Sequence, residues 1–245
     1  MVLCEDTRVG GKLLAAHKIK AKLERYDEHA AARIRPLILE RLAAGARIAL
    51  TSDAGTPLIS DPGYRLVKEA AAQGASVFPI PGASALLAGL TVSGLPTDRF
   101  LFVGFPPPKT AGRRSFFEDL IAVSATLIFY ESGPRLAASL ADMAHVFGAR
   151  DCAVGRELTK LHETVLRGSL SDLAADPRLA APRGELVVVV GPPQARPATW
   201  EESDAALREA VARLGPSAGA AEVARELGGS RRELYARALA LKAPP

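Results

Sequence analysis

Two short segments carry the residue types that bind a small polar ligand. The first runs from Leu50 to Tyr64, and within it Ser52-Asp53-Ala54-Gly55-Thr56-Pro57 is followed by Ile59-Ser60-Asp61-Pro62-Gly63. Carboxylates accept hydrogen bonds from hydroxyl or ammonium groups, and glycine lets backbone approach a ligand closely. The second is Pro81-Gly82-Ala83-Ser84-Ala85. Free backbone amides at a helix start suit an anionic group such as a carboxylate. The plain alternative is a pair of ordinary strand-to-helix turns, because Gly, Pro, Asp and Ser are also the common turn residues.

The elements that must position these segments read as α/β. The apolar run Ile48 to Leu50 predicts a buried strand ahead of the first loop, and Val77-Phe78-Pro79-Ile80 predicts one ahead of the second. Between them lies a helix with Asp61 as N-cap, Pro62 at its first position and Gly74 past its end. A further helix is expected from Ala83 to about Val92, stopped by Gly94. Both loops then sit at the carboxyl ends of strands, where ligands bind in open α/β sheets.

Farther on, strands at 101–104, 126–130, 151–156, 163–169 and 186–190 alternate with helices at 113–123, 134–147 and 170–175. The consecutive late strands predict a mixed sheet. The stiff Phe105-Pro106-Pro107-Pro108-Lys109 segment marks a boundary. The expected organisation is therefore an α/β domain over 1–106, a second over 109–191 and a helical domain over 200–245. In the last, Ala221 to Gly228 followed by Ser230-Arg231-Arg232-Glu233-Leu234-Tyr235 resembles a helix-turn-helix, whose second helix commonly meets nucleic acid. A small helical appendage packing on its own leucines is the alternative.

The segments Ser52 to Pro57, Ile59 to Gly63, Pro79 to Ala85 and Ser93-Gly94-Leu95-Pro96 together resemble the tetrapyrrole-methylase superfamily. Cys4-Glu5-Asp6-Thr7-Arg8, Phe100 to Phe105, Phe129-Tyr130-Glu131-Ser132, Arg156-Glu157-Leu158-Thr159-Lys160-Leu161-His162-Glu163 and Gly184-Glu185 narrow the likeness to its branch that methylates small-subunit ribosomal RNA. The resemblance implies two α/β domains flanking a cofactor cleft, S-adenosylmethionine as cofactor, and transfer of its methyl group to the 2′-hydroxyl of a cytidine ribose. It also implies a homodimer. A further strand and a Thr-Pro-Ile-Gly-Asn-Leu type of loop normally precede the Cys-Glu-Asp-Thr-Arg segment. The sequence contains no asparagine and starts at Met1-Val2-Leu3-Cys4, so a first sheet short of one strand, and a cleft short of one wall, are expected.

Under that resemblance Asp53 and the backbone of Ala54, Gly55 and Thr56 serve the cofactor from the first loop. Pro81, Gly82, Ala83 and Ser84 serve it from the second, with Tyr130, Glu131 and Glu185 closing from the later strands. A ribose hydroxyl is a poor nucleophile, so a base or an electrostatic stabiliser is sought. Asp6, Arg8, Glu157, Lys160 and Glu163 are the candidates. Lys12, Lys18, Lys20, Lys22 and Arg25 form a basic run that suits RNA phosphates, to which Arg113 and Arg114 add.

Composition bounds the rest. The 245 residues are 48% hydrophobic with a net charge of +4, which permits a polyanion partner without demanding one. No apolar run reaches a membrane-spanning length, and the four histidines and two cysteines lack metal-ligand spacing. Cys4 and Cys152, in predicted strands, read as buried free thiols of a cytoplasmic protein. Three readings stand: an RNA 2′-O-methyltransferase, a tetrapyrrole methyltransferase, and an RNA-binding protein without catalysis.

Overall fold

Three short parallel strands carry the first loop. In the computed structural model, which describes residues 1–193 and 199–242, β1 (Val2–Cys4), β2 (Leu23–Arg25) and β3 (Ala49–Leu50) form a sheet in the order β2-β1-β3. Val2 pairs with Leu23 on one side and Ala49 on the other. Parallel pairing requires crossover connections, and α1 (Thr7–Ala16) and α2 (Glu28–Ala43) supply them. Asp6 caps α1 by accepting from Arg8 N–H, and Asp27 caps α2 by accepting from Ala30 N–H. Leu3, Tyr26, Ile34, Ile38 and Leu66 form the core on one side of this sheet, with Leu66 contributed by α3 (Tyr64–Ala72).

The segment Val77 to Ile80 departs from expectation. It pairs with no strand, and Phe78 and Ile80 are 79% and 85% exposed. Its residue types favour a pleated, half-buried surface, but a strand exists only as a member of a pair. Pro79 lacks the N–H that a ladder uses, and no described strand lies alongside it.

The second sheet holds β4 (Phe100–Gly104), β5 (Thr126–Ser132), β6 (Asp151–Arg156), β7 (Thr164–Ser169) and β8 (Glu185–Val190) in the order β4-β5-β8-β6-β7. β4 and β5 are parallel and the other pairings antiparallel, so the sheet is mixed. Alternate residues of a strand face opposite sides. Phe129 faces Phe117 of α5 (Thr110–Glu118), beneath α6 (Gly133–Phe147) and α7 (Leu170–Ala175). Ile128, Val187 and Val189 face the other way, onto Leu86 and Leu90 of α4 (Ala85–Ser93).

α4 follows the second loop yet is seated on the second sheet. A Cβ on Gly89 would lie 2.6 Å from Val187 Cγ1, so only glycine admits this approach. Arg167 Nε donates to the carbonyls of Val92 and Ser93, both at 3.1 Å, and Gly94, left-handed at φ 77°, ends the helix.

Arg113 does not join a basic surface. It is 2% exposed and paired with Asp142 at 2.5 Å, and Arg114 Nε holds the other oxygen of that carboxylate at 2.7 Å. Arg113 also donates to Pro108 O at 3.1 Å, and Arg135 to Pro106 O, which braces the proline segment.

Contacts divide the chain into two compact units, Met1–Leu120 with Ala125–Gly191, and Ile121–Ser124 with Pro192–Pro245. The described part of the second contains α8 (Trp200–Leu214), α9 (Pro216–Leu227) and α10 (Arg231–Lys242). Its core is Leu207, Ala210, Ala220, Val223, Leu234 and Ala238. Thr199 and Glu202 form a reciprocal capping box at the start of α8. Arg237 pairs with Asp204 and stacks on Trp200 at 4.6 Å.

Gly89→Ala is expected to lower stability by about 1–2 kcal/mol net, because overpacking against Val187 outweighs the helix-propensity gain. Denaturant unfolding checks this.

Candidate active site

The loop between β3 and α3 is held in an uncommon backbone. Gly55 and Gly63 take φ of 80° and 136°, and so, without being glycine, do Leu58 (74°) and Ser60 (61°). Left-handed non-glycine residues cost about 1–3 kcal/mol each and persist where surroundings over-determine them. Asp61 is not the N-cap of α3. The helix starts at Tyr64 behind Gly63, because the left-handed turn delays it, and the Asp61 carboxylate instead meets the Ser52 hydroxyl at 2.5 Å. The Thr56 hydroxyl donates to Ala83 O at 2.9 Å and so joins the first loop to the second.

Acidic groups converge at the carboxyl ends of β1 and β3. Asp53 N–H points to Glu5 Oε1, and Asp6 N–H to Asp53 Oδ1, each at 3.4 Å. Burial, and then the charges of Asp61 and Asp53, push the Glu5 carboxyl above its ordinary range. Such a group favours a cationic or hydroxyl-rich ligand, which relieves the mutual repulsion. Asp6 behaves differently: the Arg8 side chain and N–H hold its carboxyl down to about 2.

In the second loop, the amides of Gly82, Ala83 and Ser84 meet no acceptor among the described residues, whereas Leu86 N–H donates to Tyr130 Oη at 3.1 Å. Burial raises the Tyr130 phenol, and the charges of Asp61 and Glu185 add to the shift. Glu131, expected to face a ligand, is turned inward. Its carboxylate accepts from Ser139 Oγ at 2.6 Å and Ser132 N–H at 2.8 Å, because a strand reverses side at each residue and Tyr130 takes the outer one.

The segment after β6 is likewise strained and pinned. Glu157 and Thr159 have φ of 48° and 67°. Lys160 Nζ bridges Glu157 and Glu185 at 3.1 Å each, Glu185 N–H donates to Glu157 at 2.9 Å, and Thr159 N–H donates to Glu163 at 2.6 Å. Leu158 packs with the cluster that contains Leu86 and Tyr130, so this segment hangs at the same end of the sheet as the second loop. Glu157 is held low by the Glu185 amide, and Lys160 is held high by Glu185 and Glu157.

The structure thus joins the loop of Asp53, Ala54, Gly55 and Thr56 to that of Pro81, Gly82, Ala83 and Ser84 through Thr56 and Ala83, and sets Tyr130 against Leu86 N–H just beyond, whereas Glu185 pairs with Lys160 and Glu157. The reaction candidates fall into two groups, Asp6 with Arg8 and Glu157 with Lys160 and Glu163, with no contact between the groups among the described residues. Glu5 and Ser52 escaped sequence reasoning. Their signal was position, since each stands within two residues of a strand's carboxyl end.

The architecture defines a class. Over 78% of this chain and 92% of that one, the structure superposes on the methyltransferase CobJ with a TM-score of 0.51 at 18% identity. It matches Thermus thermophilus uroporphyrin-III C-methyltransferase, solved with S-adenosylhomocysteine, with a TM-score of 0.51 at 20% identity over 77% and 84% of the two chains. The fold is that of these methylases. The chain belongs to the tetrapyrrole (corrin/porphyrin) methylase family, whose model matches residues 1–174, while residues 197–242 match the RsmI C-terminal HTH domain. Full-length likeness is narrower. A Mesorhizobium japonicum protein named ribosomal RNA small subunit methyltransferase I is 49% identical over 245 residues, covering 99% of this chain and 83% of its own. Its namesake from Pseudomonas aeruginosa is 42% identical over 98% of this chain and 87% of its own.

Because folding favours the protonated form of Glu5, its contribution to stability is present at acid pH and is lost as pH rises through the raised value. Glu5→Gln is therefore expected to stabilise the protein at pH about 7 and to change little at pH about 4. Thermal unfolding at the two pH values checks the sign.

Proposed function

We propose that the chain uses S-adenosylmethionine to methylate the 2′-hydroxyl of a cytidine ribose in small-subunit ribosomal RNA. The observation that carries the reading is the joining of the two loops by Thr56 and Ala83, in a chain 49% identical to a named ribosomal RNA methyltransferase.

The residues fit the cofactor. The acidic group of Glu5, Asp53 and Asp61 suits an ammonium and ribose hydroxyls, and the unmatched amides of Gly82 to Ser84 suit a carboxylate or an adenine edge. When bound, S-adenosylmethionine supplies a methyl group on a sulfonium, already a strong leaving group. The chain has only to hold the acceptor hydroxyl in line, so orientation does most of the work.

Proton transfer by the candidates is limited. Asp6 at about 2 is a weak base. Glu157 and Lys160 are each held in the charged form by their mutual bracket. They orient and stabilise charge, and the hydroxyl proton passes to solvent. The helices of 200–242, with Arg231, Arg232 and Tyr235 exposed on α10, supply a nucleic-acid docking face.

Labelled methyl transfer to unmodified small ribosomal subunits, followed by mapping of the modified nucleotide, tests the reading. Label on a cytidine 2′-oxygen is expected; label only on a tetrapyrrole, or binding of RNA without transfer, overturns it. Asp53→Ala is expected to abolish transfer with unfolding unchanged, since the side chain is exposed. Gly82→Leu is expected to weaken cofactor binding at unchanged stability, because a Cβ there meets nothing closer than Ile80 O at 4.0 Å. Calorimetric titration with S-adenosylmethionine reads the second; equal affinity removes this loop from the site.

A further inference from the structure

A groove of about 780 Å³ opens beneath the end of α1, lined by Gly11, Ala15 and Leu23 and rimmed by Lys18, Lys20 and Lys22. It lies at the edge of the first sheet opposite the candidate site. Lys22 O accepts from Val2 N–H at 2.8 Å, where the strands begin, whereas Asp6 and Asp53 follow their ends. α1 runs from one edge to the other, ten residues or about 15 Å.

Several features of this groove are unusual for a solvated basic turn. Lys18, Lys20 and Lys22 alternate along a segment outside regular structure, and Lys18 is left-handed at φ 55°. Arg25 is tied to Asp27 at 2.5 Å, and Lys22 lies 3.7 Å from Glu24. Lys12, Lys18 and Lys20 have no acidic partner among the described residues. On α1 the groove is lined by Gly11, Leu14 and Ala15, and Ile19 and Leu23 complete an apolar floor. Arg8 and Lys12, also one turn apart, lie on the adjoining face. A row of basic residues therefore runs from Arg8, paired with Asp6 at the site edge, through Lys12 on the helix to the lysines of the groove.

We infer that this groove is a second RNA-binding site, in which Lys18, Lys20 and Lys22 take the phosphates of single-stranded RNA several nucleotides from the methylated one, over an apolar floor that accepts sugar and base faces. The inference rests on RNA being the substrate. Charge complementarity selects a polyanion, and the track along α1 makes it the same strand that enters the site.

The test is RNA binding by the full chain against salt, with unmodified small-subunit RNA, alongside methyl transfer and cofactor titration. Lys18→Ala/Lys20→Ala/Lys22→Ala is expected to make the slope of log affinity against log salt shallower by about 2, as for three lost single-strand phosphate contacts, and to raise KM for RNA with kcat and cofactor affinity unchanged. The corresponding triple arginine variant should restore the slope. Ala15→Leu, which fills the groove without changing charge, should weaken RNA binding at unchanged stability. A triple alanine variant with the wild-type slope and KM overturns the assignment. Absence of methyl transfer by the wild type instead overturns the proposed reaction, while the binding curves still decide the groove.

Discussion

The seating of α4 on the second sheet is the constraint on which the rest depends. Gly89 lets the helix backbone come against Val187, Arg167 grips its last carbonyls, and Tyr130 takes up Leu86 N–H in its first turn. The loop ahead of α4 thus belongs by sequence to the first sheet and by packing to the second. Once α4 is fixed, the Thr56 hydroxyl finds Ala83 O, and the loop with Asp53 and Asp61 is held against the loop with unmatched amides.

Electrostatics divides the labour between these parts. Glu5, pushed up by burial and by Asp61, marks where a cation relieves strain. Asp6 with Arg8, and Glu157 with Lys160 and Glu185, are closed ion-pair sets, in which Asp6 and Glu157 are held low and Lys160 is held high. Exposed pairs of this kind add little to stability; their effect is to fix direction. The left-handed Glu157 and Thr159 fit that role, since Gly184 leaves the space into which the Glu157 carboxylate folds.

Much of this was legible in the sequence. The helix end at Gly94, the mixed second sheet and the nearness of two loops all follow from local patterns that tertiary packing reinforces. The misses share one cause, in that a local pattern states a propensity and the structure decides on partners. Val77 to Ile80 has strand residues and no neighbour. Asp61 has the type of a cap, yet left-handed Ser60 and Gly63 turn it toward Ser52. Arg113 reads as a surface cation and is buried against Asp142, and Glu131 alternates inward beside an outward Tyr130. Glu5 was hidden because its role comes from Asp53 and Asp61, remote in sequence.

The central claim is that the loop after β3 and the loop ahead of α4 form a single site for S-adenosylmethionine. Hydrogen exchange of the full chain, with and without S-adenosylhomocysteine as the stable product form, tests it most directly. Slowed exchange is predicted in residues 52–56 and 81–86 together, over the same range of ligand concentration. Protection of one segment without the other, or of neither, would contradict it.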